Sequence, residues 1–232
     1  MSLRYRRVLV KLSGELLAGR EGPLDAGGLR FSADEIGQVR RAGAEVAVVL
    51  GGGNIARGSA LPHLPPVAGH TIGMLGTVLN GIALREALAE RGIPSLLMSA
   101  LPCAGAAPAV DPWQARDALA QGEVVLFAAG TGNPFVTTDT AAVIRALAVG
   151  AEVVLKASKV DGVYDADPER AADARRLPCL THGEYLSRGL RVMDRAAVAI
   201  AAEHDLPIVV FRGSDEGALL AAVQGKTGSL IA

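Results

Sequence analysis

Aromatic residues are scarce in this chain. Phe, Trp and Tyr make up 3% of its 232 residues, with one tryptophan, although half of the sequence is hydrophobic. Small and branched aliphatic residues, mainly Ala, Gly, Val and Leu, supply that half. This composition favours helices packed closely on a parallel sheet over a β-sandwich.

Net charge and cysteine are also low. A formal charge of −1 gives no electrostatic basis for binding nucleic acid or an anionic membrane. Cys103 and Cys179 are far apart and have no metal-ligand spacing with the histidines, so we expect free thiols in the cytoplasm. The N-terminal apolar stretch is broken at Lys11, which argues against a signal peptide, and we find no apolar run of about 18 residues to span a membrane.

Apolar runs alternate with amphipathic segments along the chain. The pattern predicts strands at 7–12, 45–50, 95–99, 124–129, 152–156, 208–211 and 228–231. It predicts helices at 32–43, where Ser32 and Glu35 form a capping box, and at 72–92, 111–122, 141–149, 181–189, 193–204 and 215–225. The segment 160–180 reads as irregular and polar. We therefore predict one α/β domain over 1–232, with a mostly parallel sheet covered on both faces and a soft division near residue 150.

Polar or glycine-rich residues follow four of the predicted strands. Lys11 and Lys156 each stand at the end of a strand. The glycines 51–53 follow the strand 45–50, with Arg57 a turn later, and the segment 130–139 runs from two glycines to Asp139. The carboxyl ends of parallel strands meet at one edge of a sheet, so these residues are expected to face one cleft.

Phosphoryl transfer is the chemistry that suits this cleft. Catalysis of that reaction is mostly positioning and cationic stabilisation, with backbone N–H groups binding phosphates and Mg²⁺ bridging them. An acceptor that is itself a phosphate needs no general base. Each feature alone also has a structural explanation: a strand-end lysine is usually exposed, three glycines fit a tight turn, and Asp139 fits a cap for the following helix. Only the joint placement favours a site.

These motifs resemble those of the bacterial uridylate (UMP) kinases nearly from end to end. The matching residues are Lys11-Leu-Ser-Gly-Glu15, Gly51-Gly-Gly-Asn54 with Arg57, Gly73-Met-Leu75 with Asn80, the segment 130–139, Lys156 with Lys159-Val-Asp-Gly162, Ala166-Asp-Pro168 and Val192-Met-Asp194. The resemblance implies the amino-acid kinase (carbamate kinase-like) fold, a three-layer αβα sandwich. It implies transfer of the ATP γ-phosphoryl group to UMP, giving UDP for pyrimidine biosynthesis, with Mg²⁺ carried by ATP and no dedicated protein metal site. It also implies a homohexamer that GTP activates and UTP inhibits.

The resemblance also assigns roles to individual residues. Lys11 and Lys156 would be the catalytic cations, with Asp139 orienting them. ATP would contact Lys11, Leu12, Ser13, Gly14, Gly53, Arg57, Ser158, Tyr164 and Asp167. UMP would contact Gly52, His70, Thr131, Gly132, Asn133, Pro134, Phe135, Val136, Thr137 and Thr138. The division near residue 150 would then separate an N-terminal acceptor lobe from a C-terminal ATP lobe.

His70 departs from the family pattern, which has an aspartate at this position that binds the ribose hydroxyls of UMP. In one interpretation Thr71 caps the long helix and His70 is solvent-exposed. In the other, ribose recognition is weakened or the acceptor has changed.

Two other functions stay open from the residues alone. One is a kinase of the same fold that acts on another small acid, such as carbamate or an amino-acid carboxylate; the uridylate-type segment 130–139 argues against it. The other is a non-catalytic nucleotide or oxyanion binder, like the molybdenum storage proteins. The presence of Lys11, Lys156 and Asp139 together argues against that one.

Overall fold

A computed structural model describes residues 2–56, 61–171 and 173–232. The strands are β1 (Arg7–Leu12), β2 (Glu45–Leu50), β3 (Ser95–Ser99), β4 (Val124–Ala128), β5 (Val153–Ser158), β6 (Val163–Tyr164), β7 (Arg176–Leu177), β8 (Cys179–Leu180), β9 (Ile208–Arg212) and β10 (Ser229–Ile231). The helices are α1 (Ala26–Arg41), α2 (Pro66–Ala89), α3 (Pro112–Ala120), α4 (Thr138–Val149), α5 (His182–Ser187), α6 (Arg195–Glu203) and α7 (Ala218–Val223). A short 3-10 turn, Gly14–Leu17, follows β1.

The main sheet has eight strands in the order β3-β4-β2-β1-β5-β9-β10-β8. Neighbouring strands run parallel except β9 and β10, which pair antiparallel. A separate antiparallel pair, β6–β7, lies within the segment that the sequence suggested was irregular. The prediction of a mostly parallel sheet is confirmed.

Helices cover both faces of the sheet, which makes three layers. Alternate residues of β1 point to opposite faces, as the two-residue period of a strand requires: Val8 and Val10 join one core, and Leu9 joins the other. The first core includes buried residues of α1, α2 and α7, and the second includes those of α3, α4, α5 and α6. The helix that follows β1 thus covers one face while those that follow β5 cover the other, so a crevice is expected outside the carboxyl ends of these two strands.

Three helices, α1, α2 and α4, begin earlier than the sequence indicated, and each cap differs from the predicted one. In α1 the cap is Asp25, whose carboxylate accepts from the N–H groups of Gly27 and Gly28, so the predicted start at Ser32 was wrong. Glycine has low helix propensity, which disguised this first turn. The cap of α2 is followed by Pro66 at the first helical position, so α2 begins six residues before the predicted residue 72.

The helix α2 is long and apolar enough to cross a membrane by length and composition alone. From the sequence we expect no unbroken apolar run long enough to span a membrane, and polar residues such as Thr77 do interrupt this helix. It is the one such helix among the described residues. In the fold α2 packs on α1, β3 and β4. The core helix of a globular protein can have the same length and apolar composition as a membrane-spanning helix.

Candidate active site

The two strand-end lysines lie side by side in the middle of the sheet. The strands β1 and β5 are parallel neighbours, and their register places Lys11 directly opposite Lys156. Because side chains alternate along a strand, both lysines point to the face that carries α4. The register therefore brings two cations together at the carboxyl edge of the sheet, as the sequence predicted.

Asp139 stands between these lysines, in the first turn of α4. The Nζ of Lys156 donates to Oδ2 of Asp139, and the Nζ of Lys11 lies 3.3 Å from its Oδ1. The cap of α4 is Thr137, whose hydroxyl accepts from the N–H of Thr140, so the interpretation of Asp139 as the helix cap was wrong. Its carboxylate instead contacts both ammonium groups.

The charges of this triad determine one another. Burial acts to raise the pKa of Asp139, but the ammonium groups of Lys156 and Lys11 outweigh it and hold that pKa below its ordinary value. Burial and the charge of Lys11 lower the pKa of Lys156, and the Asp139 carboxylate opposes both. The triad thus pairs one carboxylate with two lysine side chains, and the nearby carboxylate of Asp194 also acts to raise the pKa of Lys156.

The glycine-rich segment between β4 and α4 has an unusual backbone. Gly130 and Gly132 have positive φ, and so do two residues with side chains, Ala129 (φ 58°) and Phe135 (φ 67°). The hydroxyl of Thr77 in α2 accepts from the N–H of Ala129 at 2.5 Å, which helps to hold that conformation. Strain of this kind is found where a backbone is shaped for function.

The predicted UMP-contacting residues of this segment lie on one open turn that leads into α4. Asn133, Phe135, Val136 and Thr137 are exposed, and the other members are partly buried: Thr131, Gly132, Pro134 and Thr138. The turn precedes the N-terminus of a helix of 12 residues, where free N–H groups and the helix dipole favour an anion.

Two other glycine turns pack against each other beside the lysines. A Cβ on Gly14 would lie 2.1 Å from Oδ1 of Asn54 and 2.8 Å from the carbonyl of Gly51, so only glycine fits there. The buried side chain of Asn80 in α2 donates to the Gly51 carbonyl and to Asn54 Oδ1. Within these turns Gly14 and Gly52 are buried, Ser13 is partly buried and Gly53 is exposed, while Leu12 is buried and offers a ligand only its backbone.

A cavity of about 500 Å³ opens beside Lys156, lined by residues that follow β5 and by the residues 188–192. Three predicted ATP-contacting residues line it together with that lysine: Ser158, Tyr164 and Asp167. The Tyr164 hydroxyl donates to Asp161 at 2.8 Å. The cavity therefore adjoins the triad, because Lys156 lines it. Arg57, also predicted to contact ATP, lies outside the described residues.

His70 lies beside the turn that leads from β4 into α4. It lies inside α2, is partly buried, and its ring centroid is 4.8 Å from that of Phe135. Thr71 also lies inside α2, where its hydroxyl donates to the Val67 carbonyl, so it does not cap the helix. The interpretation with a capping Thr71 and a solvent-exposed His70 was wrong on both points.

Comparison with known proteins places this geometry in a family. The chain matches the profile of the amino acid kinase family over residues 6–212. A uridylate kinase from Alcanivorax borkumensis is 48% identical over 234 residues, which cover 99% of this chain and 93% of that protein. The chain belongs to the uridylate kinases of the amino acid kinase family.

Solved structures of UMP kinases agree with the fold of this uridylate kinase family member. The structure from Bacillus anthracis has a TM-score of 0.94 at 34% identity, with 98% of this chain and 96% of that chain covered. The structure from Ureaplasma parvum has a TM-score of 0.92 at 30% identity, with 99% and 100% covered. The fold class drawn from the sequence is confirmed.

Two contacts to the triad of this chain were not predicted from its sequence. The carbonyl of Val192 accepts from Lys156 Nζ, and the backbone N–H of Asp194 donates to Asp139 Oδ2 at 3.1 Å. Both residues belong to a motif that carried the resemblance, Val192-Met-Asp194, but backbone atoms make the contacts. The motif marked these residues as similar to those of the family, but it did not indicate that their backbone atoms bind Lys156 and Asp139.

Proposed function

We propose that this chain transfers the γ-phosphoryl group of ATP to UMP, giving UDP. The observation that carries the proposal is the meeting of Lys11, Asp139 and Lys156 at the carboxyl edge of β1 and β5. On one side lies the glycine-rich turn that leads into α4, and on the other lies the cavity of about 500 Å³. Membership of the uridylate kinases supports UMP as the acceptor.

The two lysines stabilise the charge that spreads over the oxygens of the moving phosphoryl group, and Asp139 keeps both ammonium groups in place. The acceptor phosphate of UMP is held by the segment 131–138 and the N-terminus of α4. Its oxygen is already anionic at neutral pH, so no side chain has to remove a proton. The roles of the predicted ATP and UMP contacts form part of this proposal.

Mg²⁺ fits this site as a partner of ATP. Among the residues that the structure describes, no group of three or more His, Cys, Asp or Glu side chains is arranged to hold a metal ion. The carboxylate of Asp139, which lies between the two lysines proposed to stabilise the moving phosphoryl group, is already paired with both of them. Mg²⁺ usually binds through substrate phosphates and water, where it neutralises charge on the phosphates. The chain itself contributes the ammonium groups of Lys11 and Lys156 beside those phosphates.

A screen of acceptors tests the substrate assignment. The protein is incubated with Mg-ATP and, separately, UMP, CMP, carbamate or an amino acid, and ADP release is followed. We expect UMP to give the highest kcat/KM. A higher value with carbamate or an amino acid would contradict the proposal in favour of another acid acceptor. ATP binding without turnover on any acceptor would favour a non-catalytic binder.

His70 provides a prediction about ribose recognition. We expect His70→Asp to lower the KM for UMP by about tenfold, because a carboxylate accepts hydrogen bonds from ribose hydroxyls and such a charged bond contributes about 1.5 kcal/mol. The KM for 2′-deoxy-UMP should change less. His63→Asp, which adds the same charge at an exposed position before α2, is the control. Equal KM values for UMP in wild type and His70→Asp would contradict an altered ribose contact.

We also propose a homo-oligomer, with a hexamer implied by the resemblance. Three large apolar side chains of α2 support a face for another copy, since Val67, Leu75 and Leu79 are 51%, 44% and 48% exposed. GTP as activator, UTP as inhibitor and a cytoplasmic location complete the proposal. Within the single kinase domain, residues before about 150 form the acceptor lobe, which also contacts the phosphates of ATP, and those after it form the ATP lobe.

A further inference from the structure

We infer that Tyr185 is a positioning residue for phosphoryl transfer. By hydrogen bonds to the backbone of Met193 it holds in place the residues 192–194, which contact Lys156 and Asp139. This inference rests on the proposed function for its kinetic part only. We refer to Val192, Met193 and Asp194 as the clamp segment, which lies between α5 and α6, directly before α6.

The hydroxyl of Tyr185 makes two hydrogen bonds to Met193, the middle residue of the clamp segment, as donor in one and acceptor in the other. The hydroxyl donates to the Met193 carbonyl at 2.7 Å and accepts from the Met193 N–H at 2.6 Å. Tyr185 and Met193 are both fully buried. Burial raises the pKa of Tyr185 to about 12, so the hydroxyl stays protonated and can donate at neutral pH.

The two residues on either side of Met193 touch the triad. The Val192 carbonyl accepts from Lys156 Nζ, and the Asp194 N–H donates to Asp139 Oδ2. The Val192 carbonyl and the Met193 N–H belong to one planar peptide group, and the Met193 carbonyl and the Asp194 N–H belong to the next, so each bond to the triad shares a peptide group with a bond to Tyr185. The position of Met193 therefore sets where the acceptor for Lys156 and the donor for Asp139 stand.

The clamp segment also reaches the acceptor side. The carboxylate of Asp194 accepts from the hydroxyls of Thr137 and Thr140, at 2.7 Å and 2.9 Å, and its other oxygen caps α6. Thr137 belongs to the segment predicted to bind UMP, while Val192 lines the cavity predicted to bind ATP. One short segment thus connects both substrate sides to the charged triad.

Removing the Tyr185 hydroxyl leaves a buried N–H and a buried carbonyl without their partner, so the clamp segment is expected to move. Small displacements of catalytic groups lower the rate of the chemical step while binding contacts persist. We expect Tyr185→Phe to lower kcat for UDP formation by about tenfold or more, with both KM values within about twofold of wild type.

A second readout does not depend on turnover. The chain has four lysines, so lysine labelled with carbon-13 at Cε gives four side-chain NMR signals, and Lys156→Arg assigns one of them. We expect the Lys156 signal to shift in Tyr185→Phe while that of the exposed Lys226 stays in place. Thr140→Val, which loosens the Asp194 end of the segment, should shift the Lys156 signal too, and it keeps the test decisive if Tyr185→Phe does not fold.

Two controls separate positioning from general stability. Val198→Ala removes methyl groups from α6 in the same core and keeps the backbone bond from its N–H to the Asp194 carbonyl, and Tyr5→Phe removes a tyrosine hydroxyl from the core on the other face of the sheet. We expect Val198→Ala to unfold at lower urea and both controls to keep the wild-type kcat and Lys156 signal. An unshifted Lys156 signal in Tyr185→Phe, or an unchanged kcat in that variant, would overturn the inference. A wild type that forms no UDP refutes the proposed function instead, and the Lys156 signal then decides the clamp alone.

Discussion

Replacing Lys156 by methionine is expected to lower kcat for UDP formation by about 10³-fold, because cations at the transferring phosphoryl group contribute effects of this size. Methionine keeps much of the aliphatic stem and removes the ammonium group that pairs with Asp139. The measurement is a steady-state coupled assay with Mg-ATP and UMP. Its KM values separate a loss in the chemical step from a loss of binding.

Lys226→Met is the matched control for that variant. Lys226 is exposed and lies between α7 and β10, away from the triad. We expect Lys226→Met to retain wild-type kcat. A Lys156→Met protein that unfolds at the same urea concentration as wild type and keeps kcat within about threefold would show that Lys156 is not a transition-state cation.

Asp139→Asn should lower kcat by about 10²-fold and also change its pH dependence. Asp139 raises the pKa of Lys156 against burial and the charge of Lys11, so its removal lets that pKa fall further. Since Lys156 acts as a cation, the alkaline decline of kcat should begin at lower pH in Asp139→Asn than in wild type. The measurement is kcat across the alkaline range for both proteins.

The same variant should change how stability depends on pH. The folded-state pKa of Asp139 is below its ordinary value, so its carboxylate stabilises the fold above the ordinary value, and this stabilisation is lost as pH falls through the folded pKa. Breaking a buried pair costs about 3–5 kcal/mol, which we expect Asp139→Asn to lose at pH 7 in urea unfolding. Asp117→Asn, at an exposed position on α3, should lose none of this. Equal free energies of unfolding for Asp139→Asn and wild type would contradict a stabilising carboxylate.

The sheet was predictable because its strands are apolar runs bounded by glycine and charge. The strands β1, β2 and β3 have the predicted bounds. Helix starts were harder, and α1 shows why. The Ser32–Glu35 spacing matches a capping box, but the Glu35 carboxylate accepts from the N–H groups of Gly217 and Leu219 instead. A local motif cannot reveal a partner that is far away in the sequence.

For the site, sequence predicted which residues would be at the cleft but not how they pair. Convergence of Lys11 and Lys156 follows from parallel topology, whereas their direct opposition depends on a register that no local signal encodes. Tyr185 was not foreseen, because its hydrogen bonds go to backbone atoms of Met193 and any residue there would supply the same groups. Side chains that act through backbone contacts leave little trace in one sequence.

Direct detection of UDP is the most direct test of phosphoryl transfer at this triad. Wild type and Lys11→Ala are each incubated with Mg-ATP and UMP, and phosphorus NMR follows the nucleotide phosphates. We predict that wild type converts UMP and ATP to UDP and ADP in equal amounts, while Lys11→Ala at equal concentration forms UDP at least about 10²-fold more slowly. No UDP from folded wild type, or the same rate from both proteins, would contradict the account.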